Sequence, residues 1–327
     1  MFIVFLMPSC GSCTKEHSVV DDSKASDTLE IPEELYRAIQ ANTKPAAKKT
    51  KPAHDAANFF AIAADDCVLV GNSIEILSKV DVCGTGVAIS PDGSLIAYTD
   101  TTGRHSSVHL YDIMTKKDKK LDLGTYDYYS RSFSPDGHFL AVNCFFDAYS
   151  CMVLIYDLRD GTFSNVDNPE SQSLYNPTFS PDGTLLVCHD MRKVFVYSFN
   201  DGIAKHIKSI SCDNLCLDND LSMNTSCRLQ LTSSHDRIVY TCAYYGTLRD
   251  NFRQLNVYNL RTGNITKVIP DNKSCPDFEV SDDGNIYFLM ESDDLHSVAC
   301  MAKLTDLKPV MISKENFTKG EALRVAY

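Results

Sequence analysis

From about Asn58 onward, apolar and polar positions fall into short runs that return in a fixed order. One run leads into a Ser-x-Asp-Gly tetrapeptide: Val87-Ala88-Ile89, Arg131-Ser132-Phe133, Pro177-Thr178-Phe179 and Phe278-Glu279-Val280. A second leaves it: Leu95-Ile96-Ala97-Tyr98, Phe139-Leu140-Ala141-Val142, Leu185-Leu186-Val187-Cys188 and Ile286-Tyr287-Phe288-Leu289. A third carries a tyrosine in step, at Tyr111, Tyr156, Tyr197 and Tyr258, and a glycine turn follows at Gly161, Gly202 and Gly263. Runs this short, bounded by turn residues, read as strands of antiparallel hairpins. In Ser-Pro-Asp-Gly, proline presets φ near about −65° and Asp-Gly accepts the left-handed geometry that reverses the chain.

The tetrapeptide is intact at 90–93, 134–137 and 180–183, eroded to Ser-Asp-Asp-Gly at 281–284, and read a fifth time in Ser234-His235-Asp236-Arg237. Steps of 44, 46, 54 and 47 residues between the leading positions are those of a repeat architecture, and strand-rich units at a period of about 40–50 residues build β-propellers. Asn58-Phe59-Phe60-Ala61-Ile62-Ala63, Cys67-Val68-Leu69-Val70 and Ser73-Ile74-Glu75-Ile76-Leu77 supply three strands of a blade that lacks its first. Ala322-Leu323-Arg324-Val325-Ala326-Tyr327 resembles that missing strand. Joining them hides the edges of an open sheet. The expectation is an all-β, six-bladed β-propeller of four-stranded antiparallel blades over 58–327, closed by the C-terminal strand.

The Phe-Ser-Pro-Asp-Gly run and strands of the type Val153-Leu154-Ile155-Tyr156-Asp157-Leu158 resemble the TolB-type propeller repeat, over about four-fifths of the chain. Tryptophan is wholly absent; Phe133 and Phe179 stand where an aromatic is common in that repeat, and the missing Gly-His and Trp-Asp pairs separate the chain from WD-repeat propellers. The resemblance implies that partners or ligands dock around the mouth of the central channel.

The repeat itself divides the faces. The Ser-x-Asp-Gly turn and the turn joining strands three and four share one rim and recur nearly unchanged, so Asp92, Asp136 and Asp182 read as turn formers. The loops of the opposite rim all differ, and variable loops on a rigid scaffold are where binding concentrates. That rim holds Arg104, His105, Tyr126, Tyr128, Tyr129, Tyr149, Tyr175, Tyr245 and Arg249, the candidate binding residues; tyrosine and arginine dominate interface hot spots.

Charge narrows the partners. With 43 acidic against 31 basic residues the net charge is −12, a balance that repels phosphate backbones and argues against nucleic acid. There is no nucleophile elbow, His-Glu-x-x-His or phosphate loop, so no catalytic residue, cofactor or metal site is assigned; the level of Cys83, Cys227 and Cys275 lacks a histidine. A lyase- or glycosidase-type site using the channel mouth is the alternative reading. Among 13 cysteines, Cys144 and Cys151 flank a hairpin loop and form a disulfide candidate.

At the N-terminus, residues 1–13 are apolar and then carry Pro8-Ser9-Cys10-Gly11, resembling the end of a bacterial lipoprotein signal with Cys10 as the lipidated residue. A basic n-region is absent and the apolar run is short. Residues 14–57 read as a tether: a short helix over 32–42, with Ile31, Leu35 and Ile39 at four-residue spacing, then a Pro/Ala/Lys linker. The expected protein is a monomeric, non-catalytic propeller tethered to a membrane by a lipid anchor. It is placed in the periplasm, outer membrane or cell surface, with a cytoplasmic location as the alternative, and it binds a protein or cell-envelope component through the variable face.

Overall fold

The computed structural model describes residues 60–64, 67–71, 76–80, 84–101, 103–146, 150–217, 220–244, 252–291, 296–312, 317–318 and 322–325. Cys10 and the expected helix over 32–42 lie outside them, as do Tyr149, Tyr245 and Arg249.

The hydrophobic runs become strands in the order the sequence implies. The chain opens with β1 (Phe60–Ala64), β2 (Cys67–Gly71) and β3 (Ile76–Val80). Five blades of consecutive chain follow. The first is β4 (Gly84–Ile89), β5 (Leu95–Asp100), β6 (Ser107–Asp112) and β7 (Lys117–Lys120). The second is β8 (Asp127–Phe133), β9 (Phe139–Phe145), β10 (Cys151–Asp157) and β11 (Phe163–Asn165). The third is β12 (Tyr175–Phe179), β13 (Leu185–His189), β14 (Lys193–Asn200) and β15 (Ile203–Ser211).

A 3-10 turn (Cys212–Leu215) precedes the fourth blade. That blade is β16 (Leu221–Ser222), β17 (Leu229–Leu231), β18 (Arg237–Tyr244), β19 (Arg253–Asn259) and β20 (Ile265–Lys267), with β16 and β17 both pairing with β18. The fifth is β21 (Phe278–Val280), β22 (Asn285–Glu291), β23 (His296–Lys303) and β24 (Val310–Met311), with β25 (Phe317–Thr318) also on β23. Finally β26 (Ala322–Val325) pairs antiparallel with β1, making the composite sheet β26-β1-β2-β3.

The molecule is an all-β propeller. Five blades are built from consecutive chain, where the sequence led to an expected count of six. The difference is the composite sheet, whose strands come from both ends of the described chain. The first strands of successive blades touch around the axis, β4 to β8, β8 to β12, β12 to β17 and β17 to β21, and β26 touches both β21 and β4.

The core lies between blades rather than at the axis, because alternate residues of a strand face opposite neighbours. In β10, Leu154 and Tyr156 join Tyr128 of their own blade and Val108 and Leu110 of the first, while Val153 and Ile155 join Phe179, Leu186 and Tyr197 of the third. That alternation puts the in-step tyrosines inside: Tyr156, Tyr197 and Tyr258 are buried.

The repeated turn owes its recurrence to backbone satisfaction. At 134–137, Ser134 Oγ donates to Asp136 Oδ1 (2.5 Å) and accepts from Phe139 N (2.9 Å), while Gly137 N donates to Ser134 O (2.8 Å). Gly137 sits at φ +73°, a region L side chains avoid. The fourth blade corrects the sequence reading. There Thr232 N donates to Arg237 O (3.1 Å) and His235 N donates to Thr232 O (2.9 Å), so the turn begins at Thr232, two residues earlier than expected. His235 takes the glycine place at φ +54°. Its Nε2 lies 3.1 Å from Asp182 Oδ1 in the neighbouring turn, an interaction between blades that holds this unusual residue in position.

Candidate functional site

The variable rim is built on bulges. The first strands β4, β8 and β12 each slip register near that rim, between Thr85 and Val87, Tyr128 and Arg131, and Tyr175 and Thr178. A bulge bends a strand and re-aims its side chains. In β12 it places Asn176 at φ +51°, and the side chain spans two blades. Asn176 Nδ2 donates to Thr225 O and Cys227 O, both at 2.7 Å, while Asn176 N donates to Asn143 Oδ1 (2.5 Å). Asn143 Nδ2 in turn donates to Leu174 O (2.7 Å).

His189 completes the scaffold. Its Nδ1 accepts from Met191 N (3.1 Å), which leaves the proton on Nε2 to be donated to Cys227 O (2.8 Å). Burial, the largest cause, pushes its pKa down to about 4, against the Cys227 carbonyl and Asp190, which favour the charged form. His189 is thus a neutral strut between the third and fourth blades.

On this scaffold lies a strip of aromatic rings around the approach to β8. Tyr126 packs on Phe146 (ring centroids 4.5 Å), and Tyr129 meets Phe145 edge-on at 4.6 Å. Phe145 continues to Tyr175 at 6.2 Å, and Tyr175 to His189 at 5.9 Å. Tyr129 and Phe146 remain 51% and 42% exposed, and Met191 39%. Arg104 and His105 lie exposed on the adjoining β5–β6 loop. That loop is pinned to β8, since Ser106 N donates to Asp127 Oδ1 (2.9 Å) and Tyr128 N donates to Ser106 Oγ (2.6 Å). His105 Nδ1 lies 3.9 Å from Asp127.

The structure therefore brings Arg104, His105, Tyr126 and Tyr129 to one area. It removes two expected members from the surface. Tyr128 is 2% exposed with its hydroxyl donating to Leu123 O (2.6 Å), and Tyr175 is buried beneath the strip. Both lie at the bulges, where the simple in/out alternation of a strand fails. Phe145, Phe146 and Met191, from two of the variable-rim loops, join the area although none was among the candidate binding residues; two adjacent phenylalanines in such a loop were the available signal.

The expected Cys144–Cys151 disulfide is absent: both are free thiols. In the β9–β10 ladder Cys144 stands opposite Met152 and Cys151 opposite Phe145, so the two side chains leave opposite faces of the sheet. Burial pushes their pKa values up to about 11 and about 12. Cys227 and Cys275 fall in separate apolar clusters, and among the described residues no group of three or more His, Cys, Asp or Glu side chains is arranged to hold a metal ion.

Three other features invite a chemical reading. Between β17 and β21, Arg228 contacts Asp277 (3.3 Å) and Glu279 (2.9 Å), and Gln230 Nε2 donates to Glu279 (3.0 Å). These buried groups satisfy one another, so they tie inner strands together rather than face a ligand. Ser107 Oγ, His109 Nε2, His109 Nδ1 and Asp118 Oδ2 follow in the order of a hydrolase relay, at 3.1 Å and 2.6 Å. Ser107, however, sits within a strand ladder opposite Asp100, not at a turn or helix start where backbone N–H groups are left to hold an oxyanion. A cleft of about 420 Å3 opens on the repeated-turn rim between Arg237, Asn259, Thr262 and Leu304–Leu307; Asn259 Oδ1 there accepts from Arg261 N and Thr262 N, a turn already closed on itself.

No family model matches the sequence, and no curated protein matches it. Solved structures share its fold. TolB from Acinetobacter baumannii aligns with a TM-score of 0.59 at 14% identity, covering 89% of this chain and 70% of that one. A chain of a nidogen/laminin complex aligns at 0.57 and 9% identity, covering 83% and 98%. A putative 6-phosphogluconolactonase from Bacteroides uniformis aligns at 0.51 and 12%, covering 83% and 100%. At such identities the likeness is one of fold. Among the described residues no helix is long and apolar enough to cross a membrane.

Proposed function

We propose that this protein is a non-catalytic propeller that binds a protein partner through the aromatic strip formed by Tyr126, Tyr129 and Phe146, flanked by Arg104 and His105. One observation carries the reading: two large aromatic side chains stay about half exposed on a rim whose backbone is fixed by buried amide and imidazole bonds. Rigid aromatic groups present contact area at low entropic cost, as hot-spot residues do. The composite sheet is the closing blade of a six-bladed ring, a reading supported by the contacts of β26 with both β21 and β4. Export and lipidation at Cys10 tether the ring to a membrane, with the partner a cell-envelope protein; the lipobox-like start supports this. The absence of a strained or oxyanion-competent nucleophile at Ser107 supports a binding role over catalysis.

The test is a cross-linking pull-down from the native cell envelope with wild type and a Tyr129→Ser/Phe146→Ser variant. A partner captured by wild type and lost from the variant, at an unchanged melting temperature, is the expected outcome. Equal capture by both would remove the strip from the interface. Palmitate labelling that disappears in Cys10→Ser tests the anchor separately.

A further inference from the structure

Residues 212–217 and 220–228 lie between β15 and β17, where the repeat step is longer than the first two. This insert gathers sulfur. Cys212, Cys227 and Cys242 are buried in one cluster with Leu215, Met223 and Tyr240, and Cys216 packs against it from a half-buried position. Cys242 on β18 directs Sγ at the insert: it lies 3.7 Å from Leu215 O and 3.9 Å from Met223 Sδ, and its thiol is hydrogen-bonded to that of Cys216. Leu215 O also accepts from Tyr240 Oη (2.6 Å), which fixes the peptide just before Cys216 against β18. Cys227 is differently engaged, with Asn224 Oδ1 at 3.2 Å and Asn224 N at 3.4 Å from its sulfur.

We infer that Cys216 and Cys242 are a redox pair that closes to a disulfide, tying the insert to β18 at the variable rim. The oxidant is a disulfide, small-molecule or protein-borne. The Cys216 thiolate, the more accessible of the two, attacks one sulfur of the oxidant and expels the first thiolate. Cys242 then attacks Cys216 Sγ in the mixed disulfide and expels the second. The pair loses two electrons and two protons; the oxidant gains both and leaves as two thiols. The hydrogen bond it donates to the Cys216 sulfur, and burial, hold the Cys242 thiol well above the ordinary range, so its attack on Cys216 Sγ in the mixed disulfide is the slow step. A metal is a poorer fit to the same sulfurs, since the described groups are not arranged as a ligand set.

The full chain is equilibrated in oxidised and reduced glutathione mixtures, denatured, alkylated with N-ethylmaleimide and mapped by mass spectrometry without reduction. The expected product is one cross-linked peptide pair containing Cys216 and Cys242, reversed by dithiothreitol, with a melting midpoint higher by roughly 5 °C in the oxidised form. Cys216→Ser and Cys242→Ser each abolish it, whereas Cys212→Ser leaves it; Cys216 is half-buried, so its variant keeps the fold if Cys242→Ser does not. A cross-link between any other pair, or equal alkylation of Cys216 and Cys242 in both mixtures, overturns the inference. So would protection of both thiols by zinc with no cross-link formed. None of these outcomes depends on whether the aromatic strip binds a partner.

Discussion

The two rims of the propeller hold their chains in different ways. On the repeated-turn rim the intact tetrapeptides close on their own residues, Ser134 with Asp136 and Phe139, Ser180 with Asp182 and Leu185. The eroded copy in the fourth blade instead leans on a neighbour, through His235 and Asp182. On the variable rim the bonds run between blades, from Asn143 to Asn176 to Cys227 and from His189 to Cys227. Local satisfaction can be copied from blade to blade, and so it repeats. Bonds between blades depend on two different neighbours, so each is made once. The lesson is that a residue the repeat does not copy can be a buried support rather than a surface group, and Tyr128 and Tyr175 are examples.

The largest expected effect falls on the struts. Asn176→Ala puts a Cβ-bearing residue with no αL preference at φ +51° and takes the donor from two buried carbonyls. We expect a loss of about 3 kcal/mol, read as a lower urea midpoint at unchanged slope. A loss under about 1 kcal/mol would erase the distinction between rims.

Acid separates the rims by pH. His189 is held neutral with its pKa lowered from 6.5 to about 4. Its folded value lies below its unfolded one, so its contribution is complete above about pH 6.5 and is lost as pH falls to about 4, amounting to about 3 kcal/mol. Asp182, on the other rim, is held at about 2: burial opposes this, but hydrogen bonds from His235 and Ser180 prevail. Its contribution of about 2 kcal/mol persists above about pH 3.8 and fades as pH falls through 2. Urea midpoints measured from pH 7 to 4 should therefore drop in wild type and stay flatter in His189→Gln, while Asp182→Asn leaves the slope of that range unchanged. The smallest effect is expected at a repeated turn. Gly137→Ala meets only Pro91 Cδ at 3.7 Å, so the cost is that of φ +73° alone, about 1–2 kcal/mol.

The repeat made the strands readable because a tetrapeptide turn and an in-step tyrosine are local. Register at the eroded copy was not, since Ser234-His235-Asp236 resembles the motif while the backbone turns at Thr232. The bond of His235 to Asp182, supplied by another blade, supports that choice. The bulges were equally hidden, as Asn176 and Gly86 look like ordinary strand residues until the partner strand is in place. Cys144 and Cys151 misled for the same reason: nearness in a hairpin says nothing of side-chain direction until register is known. Of the candidate binding residues, Arg104, His105, Tyr126 and Tyr129 came out exposed or half-exposed. Because Tyr129 shares the β8 bulge with the buried Tyr128, it is the register at the bulge that decides which ring faces out.

The pairing of β1 with β26 has a consequence for synthesis. β1 emerges from the ribosome early, yet its partner arrives only after every other blade has been made. Until then the edge of β1 carries unpaired N–H and C=O groups that any passing strand can use. A nascent chain of this design is vulnerable from the synthesis of β1 until that of β26, and chaperone dependence should end once β26 has been made.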